Sequence, residues 1–301
     1  MTMRIVMTGM LLAILCACGS GKKTEEQALL ESLDSAKSEG PSISEEVIGD
    51  ILQQIPSPLE IAVLLKESGK KYNASYLNSP DNRSKYNSNY KKALNLGVYG
   101  TDLGYTNIYE QNQDGVKYME SIKGLADGLN IGQFFDINTI GRLATNSKNL
   151  DSLLLITTQN FNTINHYLQT QSRANLSVLL LTGGWLEALH ITCEVAKANP
   201  DNKQLQETIG EQKIILENIM LLLSFYKESD ANMASLLTDM EELKKVFDKV
   251  NITYTYKEST FEVVDGVMVI KDNSSSTIQI TPADIENIRT VTQNIRTKII
   301  S

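Results

Sequence analysis

Two histidines and three cysteines in 301 residues remove several chemistries before any pattern is sought. Zinc requires three or four ligands, and the chain contains no His-Glu-x-x-His, so no metal site is expected. No Gly-x-Ser-x-Gly elbow, phosphate-cradling loop or dinucleotide fingerprint occurs either. General acid or base work would fall to carboxylates that spacing alone does not pair. His190 and Cys193 stand three residues apart on one helix face, a spacing that can set a thiol beside a base. No orienting acid accompanies them, and the bland reading is two packed residues. His166 likewise sits in an apolar-patterned helix with no second histidine at ligand spacing. The sequence therefore points to no catalytic residue and no cofactor. Basic blocks are missing too: 28 Lys and Arg against 36 Asp and Glu give a formal charge of −8, which argues against nucleic acid or anionic headgroups as partners.

The chain also has no terminal apolar run of membrane-spanning length. Residues Ile5 to Leu15 follow a short charged start and match the core of a secretory signal, well below the ~20 residues of a membrane helix. Leu15-Cys16-Ala17-Cys18 resembles the lipobox of bacterial lipoproteins, in which cleavage precedes an acylated cysteine. Ala17 supplies the small residue before the cut, whereas cleavage at Cys16 would place bulky Leu15 there. We therefore expect residues 1–17 to be a signal peptide and Cys18 to carry lipid. Each buried acyl methylene contributes roughly 0.8 kcal/mol, so several chains form a lasting membrane anchor. The alternative is an ordinary secretory signal with two incidental cysteines. Loss of Cys16 and lipidation of Cys18 leave Cys193 without a disulfide partner, so the body must be stable without staples.

From Gly19 to about Pro41 the composition is small and charged, so residues 18–43 read as the lipidated cysteine and a flexible tether. Within it, Asp34-Ser35-Ala36 matches the Asp-Ser/Thr-small pattern of Bacteroides-type O-glycosylation, making Ser35 a candidate glycosylation site. Asp151-Ser152-Leu153 matches the wider form of that pattern, in which the third residue is small or apolar, but falls in an expected helix. Lys22-Lys23-Thr24-Glu25-Glu26 loosely resembles a signal for export to the cell surface, so either face of the outer membrane is compatible with the anchor.

Residues 44–250 read as a helical domain. Val47, Ile48, Ile51, Leu52 and Ile55 recur at helical spacing, and Ser57-Pro58-Leu59-Glu60 reads as a capping box ahead of a short helix ending at Gly69. The polar run around Asn78-Ser79-Pro80-Asp81-Asn82 is expected to be a loop of functional interest. Helices are expected near 86–112, 114–129, 136–146, 149–171, 174–198, 201–228 and 231–250. The sixth of these, apolar over Ile214 to Leu223, is expected to be central. Over 251–301 the period changes to two, giving strands near Thr253–Tyr256, Phe261–Val264, Val267–Ile270 and Thr277–Ile280, with Asp265-Gly266 as a hairpin turn. Thr281-Pro282-Ala283-Asp284 opens a last helix. This segment is expected to pack on the helical domain. The fold class is thus mainly α, a multi-helix bundle with a small β-hairpin element and a final helix.

Gly97-Val98-Tyr99-Gly100-Thr101-Asp102-Leu103-Gly104-Tyr105-Thr106 lies 86 residues before Gly183-Gly184-Trp185-Leu186-Glu187-Ala188-Leu189-His190-Ile191-Thr192, and glycine, a large aromatic, leucine and threonine coincide. A duplicated helical hairpin would account for this; so would two helices that each need small residues to pack. A helical glycine costs about 1 kcal/mol relative to alanine, so Gly97, Gly100 and Gly104 are expected to form a stripe where another helix approaches closely. Tyr99, Tyr105 and Trp185 are candidates for lining a ligand groove, against the commoner reading of core aromatics with bonded hydroxyls.

Together, Ser57-Pro58-Leu59-Glu60, Lys91 through Tyr105, Gly183-Gly184-Trp185-Leu186-Glu187 and Ile209-Gly210-Glu211-Gln212-Lys213 resemble a family of uncharacterised helical Bacteroidetes cell-envelope lipoproteins over about residues 50–250. The resemblance implies a helical fold and an envelope location and carries over no site residue. The expectation is a lipid-anchored envelope lipoprotein without catalysis, in the outer membrane, that binds a protein partner or supports an assembly. A glycan- or small-ligand-binding lipoprotein and an envelope hydrolase are the competing classes. A deep aromatic cleft would favour the first of these, and converging carboxylates or an open Cys193/His190 pair the second.

Overall fold

Ser88 stops the chain from fraying ahead of the first long helix: its hydroxyl accepts the Lys91 amide at 3.1 Å, filling one of the four amides that a helix start leaves open. That helix, α1 (Asn89–Ile108), belongs to a computed structural model that describes residues 51, 64–66, 68–135, 150–264, 267–271 and 273–301. A turn with Glu110 at φ 58° leads into α2 (Asn112–Gly128). Then come α3 (Leu150–Thr170), α4 (Ala174–Lys197), α5 (Lys203–Ser224) and α6 (Ala231–Phe247). Asn202 caps α5 through the Leu205 amide, and Asp230 caps α6 through those of Asn232 and Met233. The last helix, α7 (Pro282–Ile300), opens on a reciprocal capping box between Thr281 and Asp284 with proline in the first turn.

The fold is mainly α with a small β element. The signal peptide, Cys18, Ser35, the Ser57 capping box, the 136–146 helix and the Asp265-Gly266 turn all lie outside the described residues.

Burial follows the distribution of charge. Between Ala174 and Cys193 the only charged side chain is Glu187, and nearly all of α4 is buried. It is long and apolar enough to cross a bilayer, yet 94% of its most apolar window is buried inside the body, so here it serves as the core helix. That corrects the expectation that α5 is central: Ile214 and Leu221 on α5 are exposed, so its excess apolar residues wrap onto an outer face. Around α4 pack α1, α5, α7 and α3.

The α1–α4 contact is reciprocal. A Cβ on Gly97 would collide with the Leu180 carbonyl oxygen and stand 2.6 Å from the Gly184 nitrogen; one on Gly183 would collide with the Leu94 carbonyl oxygen and stand 2.8 Å from its carbon. Each glycine thus faces the carbonyl three residues before the other, across the same 86-residue offset as the sequence similarity. Thr101 Oγ1 donates to the Gly184 carbonyl at 2.9 Å in the same contact. Gly100 does not belong to it: the residue is exposed and a Cβ there would meet nothing within 4 Å, because a step of three residues turns it past the face that carries Gly97. The expected three-glycine stripe is corrected to that extent.

A β-ribbon connects α6 to α7. β1 (Asn251–Thr255) pairs antiparallel with β4 (Ser275–Gln279), from Asn251↔Gln279 to Thr255↔Ser275. β2 (Thr260–Val264) pairs antiparallel with β3 (Val267–Lys271), from Thr260↔Lys271 to Val264↔Val267. Between the two pairings, Asn273 Nδ2 donates to the Glu258 carbonyl at 2.8 Å, so the ribbon continues through the irregular middle. At its base Ile252, Ile278 and Ile280 pack on the core. Ile278 fills the notch left by Gly210 on α5, where an added Cβ would lie 2.5 Å from Ile278 Cγ2.

Candidate functional site

The interior of the helical body holds a polar centre that neither periodicity nor motif announced. Glu187 on α4 is fully buried, and Arg296 on α7 clasps it bidentately, Nε to Oε2 at 2.5 Å and Nη2 to Oε1 at 2.6 Å. Asp102 on α1 is also fully buried. It accepts the Asn78 amide at Oδ2, 3.2 Å away, while its Oδ1 has no donor among the described residues. Burial first, then the neighbouring Glu187 carboxylate, pushes the Asp102 carboxyl well above the ordinary carboxylate range, against the opposing pull of Arg296.

The segment that closes this centre is the polar run expected to be a loop. It folds instead as two short 3-10 turns, Ala74–Tyr76 and Pro80–Lys85, because its polar groups find partners in the core. The Tyr76 carbonyl accepts Arg296 Nη2 at 3.1 Å and lies 3.2 Å from His190 Nε2. Asn78 Nδ2 donates to the Tyr86 hydroxyl at 3.0 Å, which donates to the Ile300 carbonyl at 3.2 Å. Asn82 in turn donates to Asn78 Oδ1 at 2.8 Å. Near the end of α7, Asn95 Nδ2 donates to the Ile299 carbonyl at 3.0 Å, meeting one of the carbonyls that a helix end leaves open.

The candidate ligand-lining residues are placed otherwise than a groove requires. Tyr99 is buried, with its hydroxyl donating to the Ser79 carbonyl at 2.9 Å. Tyr105 is buried, its hydroxyl accepting the Asn73 amide at 3.3 Å. Trp185 is buried and donates Nε1 to Gln212 at 2.9 Å. All three fill the core with their polar atoms bonded, and burial raises both tyrosine hydroxyls far above their usual range. They form no aromatic groove together, which corrects that candidate role. Tyr99 stacks instead with Tyr86 and Tyr118, and Tyr105 with Tyr72 and Tyr109, in tilted pairs 4.8–6.1 Å between ring centres.

Cys193 is fully buried, and burial drives its thiol far from the thiolate form, opposite to what a nucleophile needs. His190 is buried, and burial lowers its imidazole below the usual range, leaving it neutral against the Tyr76 carbonyl. His166 is exposed on α3, not packed. Among the described residues, no three His, Cys, Asp or Glu side chains gather to hold a metal ion.

What the centre can do is hold α1, α4, α7 and the Asn73–Tyr86 segment in one arrangement; removing one partner of a buried ion pair typically costs about 3–5 kcal/mol. The sequence did carry a signal for it. Asp102 is the only charge between Ala93 and Tyr109, as Glu187 is between Ala174 and Cys193. A lone acid in an apolar helix needs a buried partner; for Glu187 it is Arg296 on the last helix, and for Asp102 the Asn78 amide.

The fold and centre define a class, a mainly helical body with a buried ionic junction and a projecting ribbon. Compared with protein-family models, curated proteins and solved structures, the chain matches none.

Proposed function

We propose that the chain is a membrane-anchored envelope lipoprotein of the helical Bacteroidetes type, tethered in the outer membrane through lipid on Cys18, which meets a protein partner through its β-ribbon and performs no catalysis. The observation that carries the docking role is where apolar surface stands open. Of the seven large apolar side chains exposed among the described residues, four (Tyr254, Tyr256, Phe261 and Met268) are on the ribbon, each 62–71% exposed. The helical core, by contrast, keeps its aromatics inside. Two-stranded ribbons are marginal alone, and exposed apolar groups on a strand pair are a surface that a partner covers.

The ribbon's charge selects the kind of partner. Between Asn251 and Gln279 the sequence carries four acids to two bases, and of these Lys257 and Glu258 are exposed among the described residues. Insertion into hydrocarbon would strip those carboxylates of water at several kcal/mol. A protein surface with an apolar centre and a basic rim satisfies both features.

The reading is tested in two independent steps. Fatty-acid labelling in cells should mark the wild type and not Cys18→Ala; equal label in both sinks the anchor. A photoreactive residue at Tyr256 or Phe261 should give one discrete adduct in the native envelope, while one at exposed His166 gives none. Equal, diffuse crosslinking from all three positions would refute docking through the ribbon.

A further inference from the structure

We infer that Asp102 and Glu187 hold one proton between them, carried on Asp102, in the folded protein at neutral pH, and that this proton makes the α1–α4–α7 junction sensitive to alkali. Asp102 and Glu187 are both fully buried, and among the described residues Arg296 is the one cation set against them. Glu187 takes both ends of the guanidinium fork. Every other ionisable group facing Asp102 is uncharged at neutral pH: Tyr118 from α2, Tyr72 and Tyr86 from the segment around the 3-10 turns, and Tyr99 on α1 itself. His190 on α4 is neutral as well. Its Nε2 meets the Tyr76 carbonyl, so the ring proton sits there and Nδ1 is bare.

An ionised Asp102 would therefore be a second buried anion facing a cation already engaged. The hydrogen-bond pattern points the same way. Asp102 Oδ2 accepts the Asn78 amide, and Oδ1 has no donor among the described residues; Glu187 lies within hydrogen-bonding reach of the Asp102 carboxyl. Two carboxylates cannot bond to one another, but a proton on the Asp102 carboxyl turns it into a donor and neutralises the excess charge. The atom without a donor and the extra acid thus have one remedy.

The sign of the linkage follows. A carboxyl that is protonated in the folded state at pH values where the unfolded chain has released its proton adds stability that is complete below the ordinary carboxylate range. That stability is lost as pH rises from there through the folded value. Asp102→Asn keeps the shape, presents an N–H to Glu187 and has no proton to lose.

The test is infrared difference spectroscopy and thermal melting of the full chain as a function of pH. Wild type minus Asp102→Asn should show the carbonyl band of a protonated carboxylic acid at neutral pH, bleaching only well above the usual carboxylate range. The wild-type melting midpoint should fall with rising pH relative to that of Asp102→Asn, with the variant the more stable in alkali. Glu187→Gln should abolish the band although Asp102 is still present, because Arg296 then has Asp102 as its sole anion. No such band in the wild type at neutral pH overturns the inference, as do parallel pH dependences of the two melting midpoints. If Asp102→Asn does not fold, the neutral-pH band and its loss in alkali, read on the wild type alone, decide the matter.

Discussion

Alanine at Gly97 and alanine at Gly100 should change stability in opposite directions although the residues are three apart on one helix. At Gly97 a methyl would lie 2.6 Å from the Gly184 nitrogen and collide with the Leu180 carbonyl. Unstrained heavy-atom contacts begin at about 3.5 Å, so α4 would have to withdraw by more than ~1 Å at this crossing. Both obstructing atoms are backbone, and no side-chain rotation can relieve them. Overpacking of this kind costs typically 1–3 kcal/mol, and rigid backbone on both sides sets it at the upper end. Against about 3 kcal/mol stands the gain of about 1 kcal/mol from replacing a helical glycine by alanine, for a net loss of about 2 kcal/mol. At Gly100 there is nothing within 4 Å, so only the gain remains, up to ~1 kcal/mol. With 2–4 °C per kcal/mol for a body of this size, thermal melts should show Gly97→Ala lower by about 4–8 °C and Gly100→Ala higher by about 2–4 °C. Equal midpoints, or a Gly97→Ala protein as stable as wild type, would refute the reciprocal contact.

Arg296→Met should destabilise the body by about 3–5 kcal/mol in urea titrations, since it leaves Glu187 charged and unpaired in the core; a loss under 1 kcal/mol would show that the ion pair is structurally idle. Cys193 should resist an aromatic disulfide reagent in the native protein and react once denatured, because it is fully buried with its thiol held protonated; prompt native labelling contradicts this. Trp185, the sole tryptophan, is buried, so its fluorescence should escape iodide quenching. Trp185→Phe should cost about 1–3 kcal/mol by stranding Gln212.

The helices from α1 to α7 were legible where polar caps bracket apolar periodicity. Asn202, Asp230 and the Thr281/Asp284 box hold their helix starts by bonds within one turn, and such bonds are written in adjacent residues. What holds the Asn78-Ser79-Pro80-Asp81-Asn82 run was not legible, because its partners (Asp102, Tyr99 and Ser121) lie elsewhere in the chain. Local composition says polar; only the fold shows that Asn78 is buried against Asp102 while Ser79 and Asp81 stay exposed. Gly100 was misread for a related reason: glycines three and four apart lie on neighbouring but not identical faces of a helix, and only the packing shows which of them meets the neighbour. The tyrosines around Tyr99 and Tyr105 illustrate the same limit, since an aromatic with a hydroxyl suits a groove and a core equally until its bonding partner is known.

Asn251 and Gln279 are direct cross-strand partners, so the chain leaves the helical body and returns to it at one place. Everything distal to Ile252 and Ile278 is, in effect, a closed loop spliced between α6 and α7. Residues can be added, removed or exchanged in pairs along the two strands without moving either helix, provided the isoleucine seated in the Gly210 notch is kept. The ribbon is therefore separable from the core in a mechanical sense: a pair of residues inserted distal to Ile252 and Ile278 should lengthen it and leave the melting midpoint of the helical body where it was.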